Sequence, residues 1–546
     1  MKIKRYTLSL IVGSIFFSLV ASANELPRLS KLEDGGQLIV SGKPYLILGG
    51  ELGNSSAGTA AQADTILPRL ARMHVNTVLM PVAWEQIEPT EGHLDFSILD
   101  HWIDVAREQH LHLVLLWFGS WKNAFSNYAP AWVKQDTRRF PRAISADGVE
   151  LEILSTLGPE TLLADSRAFS NLLTHVREKD SDRQTVLMVQ VENEVGYLGR
   201  GRDRSTAANR LFQGEVPKAL LHQLQDRRAS LSPELASHFN PLGWSWKEVF
   251  GEASDEVFMA WNYARFIQVV AEAGKRSYPL PMYVNAQLPA PSERAGEYPS
   301  GGPHPYYLQV YQAASPAIDL YSPDIYWPNF EYWIQRYRLP GSPVFVPEAR
   351  LEVAPFNAMY AYGAAKAFGF SPFGIESIEP ASDRVGTKSS MEQTYEALSD
   401  LTDMLLPAQA TGKTQGLVLH ADSPRPTQTV ALGGYLMEAT LSRSWPAKTL
   451  LTDNGAMIVI QSASDEFYIA GQGLTVSFTR DPDVDDRLAG IASIEEVSRI
   501  DGGWVTQRRL NGDQSNQGRQ LSLAPNQVRI YRVVLYAAER VRNTAP

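Results

Sequence analysis

The sequence predicts an α/β fold: a (β/α)8 TIM barrel followed by a small C-terminal antiparallel β domain. Three observations predict it. Between about residues 40 and 407, eight apolar runs of strand length are mostly separated by segments with helical spacing of apolar residues. The runs are continuous rather than alternating, which indicates a parallel sheet covered on both faces. After about residue 410, the alternating pattern of antiparallel strands appears instead.

The barrel is predicted element by element from these runs. The predicted strands are Tyr45–Gly49, Thr77–Val82, His112–Trp117, Val186–Val191, Met282–Asn285, Asp319–Tyr326, Val344–Val346 and Ser371–Ile375. The predicted helices are Ala60–Met73, Phe96–Gln109, Leu162–Arg177, Val257–Ala273, Asn357–Ala367 and Met391–Leu406. The fifth and sixth units have the least regular pattern, and residues 197–255 read as a polar insertion after the fourth strand. We therefore predict the barrel over residues 24–410 and the β domain over residues 411–546.

The first 23 residues have the pattern of a cleavable signal peptide. Basic residues precede the apolar stretch Leu8–Val20, and Ala21-Ser22-Ala23 is a small-residue cleavage site. The stretch is shorter than the ~20 residues that span a bilayer; the alternative is an uncleaved anchor. Because the chain has no cysteine to carry a lipid, we expect a periplasmic or secreted protein that begins near Asn24, with no membrane anchor after cleavage.

Composition and missing motifs exclude several classes of function. The chain has 50 basic and 60 acidic residues, a net charge of −10 and no basic tract, which disfavours binding to nucleic acid. The absence of cysteine excludes disulfides, thiol catalysis and cysteine-ligated metals. No phosphate-binding or dinucleotide-binding glycine motif occurs, and the ten histidines show no HExxH or similar ligand spacing. We predict no metal and no organic cofactor.

Two glutamates are the strongest candidates for catalysis. The fourth predicted strand runs directly into Asn193 and Glu194, and the seventh is followed by Glu348. The carboxyl ends of barrel strands meet at one mouth, so the two glutamates are expected to face each other. Hydrolysis of a glycosidic bond needs such a pair: one donates a proton to the leaving oxygen, and the other attacks the anomeric carbon or activates water.

Aromatic and polar residues at the same strand ends are candidates for sugar binding. Tryptophans lie in three of these runs, and indole rings stack on the apolar faces of sugars; the candidates are Trp84, Trp117, Trp121 and Trp327. Asn193 is placed to hold the 2-hydroxyl of a sugar. Tyr326 is placed to donate its hydroxyl to Glu348 and to keep that carboxylate ionised.

Four segments resemble glycoside hydrolase family 35, the β-galactosidases, which belong to a clan of retaining (β/α)8 glycosidases with an Asn-Glu acid/base motif. The resemblance spans roughly residues 40–540, and the segments are Gly49–Ser56, Trp84–Gly92, Gln190–Gly196 and Phe345–Glu348. Leu116–Val133 is similar to a compact bacterial branch of that family. Many family members have an acidic residue where this chain has Ser120, followed here by Trp121 and Lys122.

The resemblance implies a retaining β-galactosidase with Glu194 as acid/base and Glu348 as nucleophile. It also implies terminal galactose as the sugar removed, with xyloglucan-derived oligosaccharides as a substrate. Glu51 and Asn285 are further candidates for sugar binding. Two alternatives stay open at this point: a related barrel glycosidase acting on β-glucosides, β-mannosides or arabinosides, and a carbohydrate-binding barrel without catalysis.

Overall fold

The computed structural model describes residues 25–380 and 388–539, and the predicted leader lies outside the described residues. The first described element is a three-stranded antiparallel sheet that the sequence analysis did not predict. Its strands are β1 (Arg28–Leu32), β2 (Gly35–Val40) and β3 (Lys43–Tyr45). Leu38 and Val40 pack with Ile47, Leu79 and Val114 of the barrel, so the sheet covers the end of the barrel at which the strands begin.

The predicted barrel is confirmed: eight parallel strands form a closed sheet. Its strands in order around the barrel are β4 (Ile47–Glu51), β5 (Thr77–Ala83), β6 (His112–Lys122), β9 (Val186–Asn193), β10 (Met282–Gln287), β11 (Leu320–Ile325), β12 (Phe345–Ala349) and β13 (Gly369–Pro372). Two further strands, β7 (Arg142–Ile144) and β8 (Glu150–Leu154), follow β6 in the sequence. They pair with each other as a separate antiparallel sheet that is not part of the barrel.

Helices follow each barrel strand and form the outer layer. They are α1 (Ala60–Arg72), α2 (Trp84–Ile87), α3 (Ser97–Glu108), α4 (Ala131–Gln135), α5 (Pro159–Asp180), α6 (Thr206–Phe212), α7 (Lys218–Asp226), α8 (Pro233–His238), α9 (Trp246–Phe250), α10 (Ser254–Ser277), α11 (Leu308–Ala314), α12 (Phe330–Tyr337), α13 (Ala354–Gly363) and α14 (Ser390–Ala410). The predicted helices match α1, α3, α5, α10, α13 and α14. The insertion at residues 197–255 is helical, and α11 and α12 are short helices that the sequence analysis missed.

The C-terminal β domain is two antiparallel sheets packed face to face. The six-stranded sheet contains β14 (Thr414–His420), β17 (Asn454–Ala463), β18 (Glu466–Gln472), β23 (Arg529–Ala538), β20 (Leu488–Ile500) and β21 (Gly503–Leu510), and the four-stranded sheet contains β15 (Thr427–Leu432), β16 (Tyr435–Leu441), β19 (Leu474–Arg480) and β22 (Gln520–Leu523). The predicted antiparallel β domain is thus confirmed. Buried side chains such as Met457 and Val476 fill the space between the sheets.

Side chains alternate between the two faces of a strand, and β14 and β17 of the six-stranded sheet bury both sets. In β14, Leu417 and Leu419 point into the β domain, whereas Val418 packs into the core that continues through the barrel. In β17, Ile458 and Ile460 likewise pack into the barrel core. The two domains therefore share one apolar core at their junction. None of the helices in the described residues is both long enough and apolar enough to cross a membrane.

Candidate active site

Four buried carboxyl groups meet at the carboxyl end of the barrel. Glu51 ends β4, Glu194 follows β9, Asp324 lies in β11, and Glu348 lies in β12 in direct register with Asp324. They are at most 4% exposed. Because parallel strands end at one mouth, residues far apart in the sequence come together there.

The two predicted catalytic glutamates are close neighbours. One carboxylate oxygen from each of Glu194, Asp324 and Glu348 lies within 4.8 Å of the others. The three residues line a cavity of about 350 Å³, together with Asn54, Lys122, Asn123, Gln287, Leu288, Tyr326, Trp327 and Phe373. This volume is at the lower end of the range for small-molecule sites, ~300–1,000 Å³, and suits a sugar ring rather than a polymer.

Glu348 is held by Tyr326, whose hydroxyl donates a hydrogen bond to Oε1. The second oxygen, Oε2, is buried and has no hydrogen-bond partner among the described residues. Burial and the negative charge of Glu348 raise the pKa of Tyr326 well above its ordinary value, so the phenol keeps its proton as donor. Glu348 therefore has one oxygen anchored by Tyr326 and a second oxygen that is buried.

Glu194 lies where the chain leaves β9, in the left-handed region of backbone conformation (φ 44°). Its backbone N–H donates to Oδ1 of Asn285 at 2.9 Å, which fixes the turn. The side chain contacts the amide of Asn123, and its Oε2 lies 3.9 Å from Nζ of Lys122. Non-glycine residues in this conformation are enriched at functional sites, where surrounding contacts compensate the strain.

Burial, followed by the negative charge of Glu348, raises the pKa of Glu194 to about 7. Lys122 and a hydrogen bond with Asp324 act in the opposite direction. A glutamic acid with this pKa holds a proton in a large fraction of molecules at neutral pH, as a general acid must.

Asp324 and Glu51 add two more carboxyl groups beside this pair. Burial and then the charge of Glu348 raise the pKa of both carboxyls well above their ordinary values. Asp324 accepts a hydrogen bond from Nδ2 of Asn285 at 2.6 Å. Burial disfavours the charge of Lys122, but Glu194 and Glu348 raise its pKa above the ordinary value. The site thus combines one ammonium group with carboxyls whose ionisation is disfavoured by burial.

A second buried carboxyl pair supports the wall of the site from behind. Asp165 accepts hydrogen bonds from the indole of Trp117 at 2.9 Å and from the backbone and hydroxyl of Ser120. Glu192 accepts from the backbone of Trp121 at 2.8 Å. Burial raises the pKa of both Asp165 and Glu192, and their hydrogen bonds to the backbone of Ser120 and Trp121 fix the segment that leads to Lys122.

The structure buries four of the predicted sugar-binding residues. Trp84, Trp117 and Trp121 are fully buried, and their indole N–H groups donate to Glu88, Asp165 and the carbonyl of Leu154. Asn285 is also buried, and its amide accepts from the backbone of Glu194 and donates to Asp324. These contacts place all four side chains in the core around the site, and sugar binding by them stays a prediction.

The other predicted residues lie at or beside the cavity. Tyr326 and Trp327 line it, and the indole of Trp327 donates to the carbonyl of Leu288 at 3.1 Å. Asn193 and Glu51 are buried next to the catalytic pair, and within the described chain both amide atoms of Asn193 and Oε1 of Glu51 have no hydrogen-bond partner. Sugar contact by these four residues stays a prediction.

The sequence analysis missed several cavity residues, namely Asn54, Asn123, Gln287, Asp324 and Phe373, and treated Lys122 only as a departure from a family pattern. One signal was available for Asp324. It is a charged residue inside an apolar strand, two positions before Tyr326, and therefore on the same face of the strand.

The three clustered carboxyls also have the spacing of a cation site. Their surroundings disfavour one, because Lys122 places a positive charge 3.9 Å from Glu194 and Tyr326 already donates to Glu348. Hard divalent cations require several free oxygen ligands. The donor set therefore fits acid–base chemistry better than metal binding.

A closed (β/α)8 barrel with two neighbouring carboxyls at its mouth has the groups that hydrolysis of a glycosidic bond requires. Residues 56–220 match the model of glycoside hydrolase family 42, described as beta-galactosidase. The barrel is therefore similar to this family of glycoside hydrolases over less than a third of the chain. Residues 391–522 match a family described as a domain of unknown function. Membership of family 35 stays a prediction, and no curated protein matches the chain.

Solved structures with a similar arrangement are distant in sequence. They include the beta-galactosidase from Bacillus circulans sp. alkalophilus, at 14% identity over 66% of this chain with a TM-score of 0.45. The beta-galactosidase from Marinomonas ef1 has 12% identity over 67% with a TM-score of 0.44, and an exo-beta-1,4-mannosidase from Opitutaceae bacterium strain TAV5 has 15% over 67% with 0.39. The matched parts cover 57%, 60% and 61% of those chains. These likenesses carry no argument about substrate.

Proposed function

We propose that the protein is a retaining β-galactosidase that removes terminal β-galactose from oligosaccharides, in the periplasm or outside the cell. The observation that carries the proposal is the pairing of Glu194 and Glu348, with carboxylate oxygens within 4.8 Å of each other. Retaining enzymes have carboxyls ~5–5.5 Å apart, whereas inverting enzymes leave ~6.5–9.5 Å for a water molecule. The short approach supports the retaining reaction.

In the first step, a carboxylate oxygen of Glu348 attacks the anomeric carbon. The glycosidic C–O bond breaks, and the leaving oxygen takes the proton of Glu194. The products of this step are a galactosyl ester of Glu348, the released alcohol and ionised Glu194. Tyr326 keeps the other oxygen of Glu348 in place.

In the second step, ionised Glu194 removes a proton from water, and the resulting hydroxyl attacks the anomeric carbon. The ester bond to Glu348 breaks, and β-galactose leaves. The charge of Glu348 is absent from the intermediate, so one cause of the raised pKa of Glu194 disappears when it must act as a base. The same residue thus serves as acid and then as base.

Galactose as the sugar follows from the β-galactosidase description of the family that residues 56–220 match and from the resemblance to family 35. Xyloglucan fragments as the natural source rest on the similarity to the compact bacterial branch.

A panel of nitrophenyl β-glycosides tests the proposal, with the galactoside, glucoside, mannoside and arabinoside assayed side by side. The expected result is turnover of the galactoside with a kcat/KM at least about tenfold above the others. Glu348→Gln serves as the inactive control, because the amide is a poor nucleophile of nearly the same shape. A preference for another sugar would support the related-glycosidase alternative, and binding without turnover would support the non-catalytic one.

A further inference from the structure

Strand β6 carries a bulge just before it reaches the active site. Trp117 pairs with Val191 of β9. The next pairing is between Lys122 and Asn193, so five steps along β6 correspond to two along β9. The other neighbour, β5, pairs with β6 only up to the residue after Trp117. Residues 119–121 are buried and lie outside both ladders, so their backbone N–H groups need other acceptors.

Two buried carboxyl groups provide such acceptors. Asp165 of α5 accepts from the backbone N–H of Ser120 at 3.0 Å, from the hydroxyl of the same residue, and from the indole of Trp117 at 2.9 Å. Glu192 of β9 accepts from the backbone N–H of Trp121 at 2.8 Å. Both carboxyls are 0% exposed. Side chains thus hold the bulge where the neighbouring strands do not.

Gly119 leaves the space in which the two carboxyls meet the bulge. A Cβ on this residue would lie 2.8 Å from Oε1 of Glu192 and 3.0 Å from Oδ1 of Asp165. It would also lie 2.3 Å from the indole nitrogen of Trp117. Because these three atoms surround one point beside the backbone, only a residue without a side chain permits both carboxyls to approach.

The residues that follow the bulge contact Glu194. Lys122 is 4% exposed, and its Nζ lies 3.9 Å from Oε2 of Glu194. The side-chain amide of Asn123 donates to the same oxygen. The backbone N–H of Ala124 donates to the carbonyl oxygen of Glu194 at 3.1 Å. The shape of the bulge therefore decides where these groups stand relative to the candidate acid/base.

We propose that Asp165 and Glu192 are positioning residues that hold the bulge of β6, so that Lys122 and Asn123 stay against Glu194. Neither carboxyl lines the catalytic cavity. The inference rests on the proposed function and extends it, because it names residues outside the cavity that act on the reaction through the charge of Lys122.

Four barrel strands bring charged groups to Glu194. Burial and then the charge of Glu348 in β12 raise the pKa of Glu194, whereas Lys122 at the end of β6 and Asp324 of β11 lower it. Glu51 of β4 is the fourth neighbour, and the charge of Glu194 contributes to its own raised pKa. Lys122 is the positive charge in this set, so its displacement leaves Glu194 a weaker acid.

The test is the pH profile of kcat/KM on lactose for Asp165→Asn. Whichever way the new amide turns, its NH₂ group faces a donor, either the indole of Trp117 or the backbone of Ser120, so the bulge loses support. We expect the fall of activity on the alkaline side to shift to higher pH by about 0.5–1 unit, because Lys122 moves away from Glu194. Direct loss of a negative charge at position 165 would shift it to lower pH.

Asp180→Asn is the matched control. Asp180 is 0% exposed, ends the same helix, and accepts from the backbone N–H of Val186 at 2.7 Å where β9 begins, at the far end of the barrel. This variant should lower the melting temperature but keep the wild-type pH profile. Ser120→Ala removes only the hydroxyl that donates to Asp165, and its profile should shift to higher pH by about half as much. It keeps the test decisive if Asp165→Asn does not fold.

A double variant separates positioning from general loss of structure. In Lys122→Met the charge beside Glu194 is gone, so adding Asp165→Asn should cause no further shift of the profile. Shifts that add would show that Asp165 acts without Lys122, and would overturn the inference.

The outcomes also separate this inference from the proposed function. A wild type that hydrolyses neither lactose nor nitrophenyl β-galactoside contradicts the proposed function and the inference that rests on it. An active wild type whose profile is unchanged, or shifted to lower pH, in both Asp165→Asn and Ser120→Ala overturns the positioning role and leaves the galactosidase in place.

Discussion

At the scale of single residues, the site depends on the proton carried by Glu194. Burial and the charge of Glu348 raise its pKa to about 7, while Lys122 and Asp324 limit that rise. The acid form is required for the first step. Activity on substrates with poor leaving groups should therefore be high below pH 7 and fall by about tenfold per pH unit above it.

Lys122→Met should shift the fall of activity on the alkaline side of the pH profile to higher pH. Removing a positive charge 3.9 Å from Glu194 disfavours its ionised form, so its pKa rises. The measurement is the pH profile of kcat/KM on lactose. Lys218→Met is the control, because Lys218 is an exposed lysine whose nearest ion pair is Glu215. If the fall of activity shifts to lower pH or does not shift, the charge of Lys122 does not lower the pKa of Glu194.

Asp324 gives a second residue-scale prediction. Burial and the charge of Glu348 raise the pKa of its carboxyl well above the ordinary value, and we expect the protonated carboxyl to donate to Glu194. An asparagine has the same shape and also donates, so Asp324→Asn should keep kcat/KM within about threefold of the wild type. Asp324→Leu removes the donor and should lower kcat/KM by about 10- to 100-fold. If asparagine proves as damaging as leucine at equal thermal stability, Asp324 acts as an ionised group instead.

At the scale of elements, the contact between α13 and β14 holds the β domain against the barrel. Gly416→Ala should destabilise the protein by about 1–3 kcal/mol, since the added methyl meets the backbone of Met359 at 2.5 Å. Gly503→Ala is the matched control in β21, where the nearest atom to the new methyl lies 3.7 Å away. The measurement is thermal unfolding of both variants. Equal melting temperatures would show that the two backbones separate without loss.

The elements that sequence reasoning could predict are those with long apolar runs. All eight barrel strands were found, because a parallel strand buried on both faces is continuously apolar. The short elements α11, α12 and β1–β3 were missed, since a few residues carry too little periodicity to be distinguished from loops.

The same continuous pattern limits what the sequence reveals about the site. The strand ends were located correctly, which brought Glu194, Glu348 and Tyr326 together. An unbroken apolar run does not reveal which alternate side chains face the barrel interior. Trp117 contacts Phe169 of α5, and Trp121 contacts Tyr263 and Phe266 of α10, so both face the helical layer and not the cavity.

At the scale of the whole molecule, the barrel and the β domain form one structure with a shared core. Alternation in β14 and β17 divides their side chains between the two cores. The β domain is predicted from the sequence, but its attachment to the barrel is not. That attachment depends on contacts between α13 and β14 that join residues about 50 to 60 positions apart in the chain, which local patterns do not encode.

The central claim is that Glu348 is the nucleophile and Glu194 the acid/base. Azide rescue tests it most directly. Glu194→Ala with added azide should release β-galactosyl azide, because the azide replaces the water that attacks the intermediate on Glu348. Glu348→Ala with added azide should give α-galactosyl azide from a substrate with a good leaving group, because the azide takes the place of the missing carboxylate. NMR of the two products decides: these anomers support the assignment, and the exchanged anomers would contradict it.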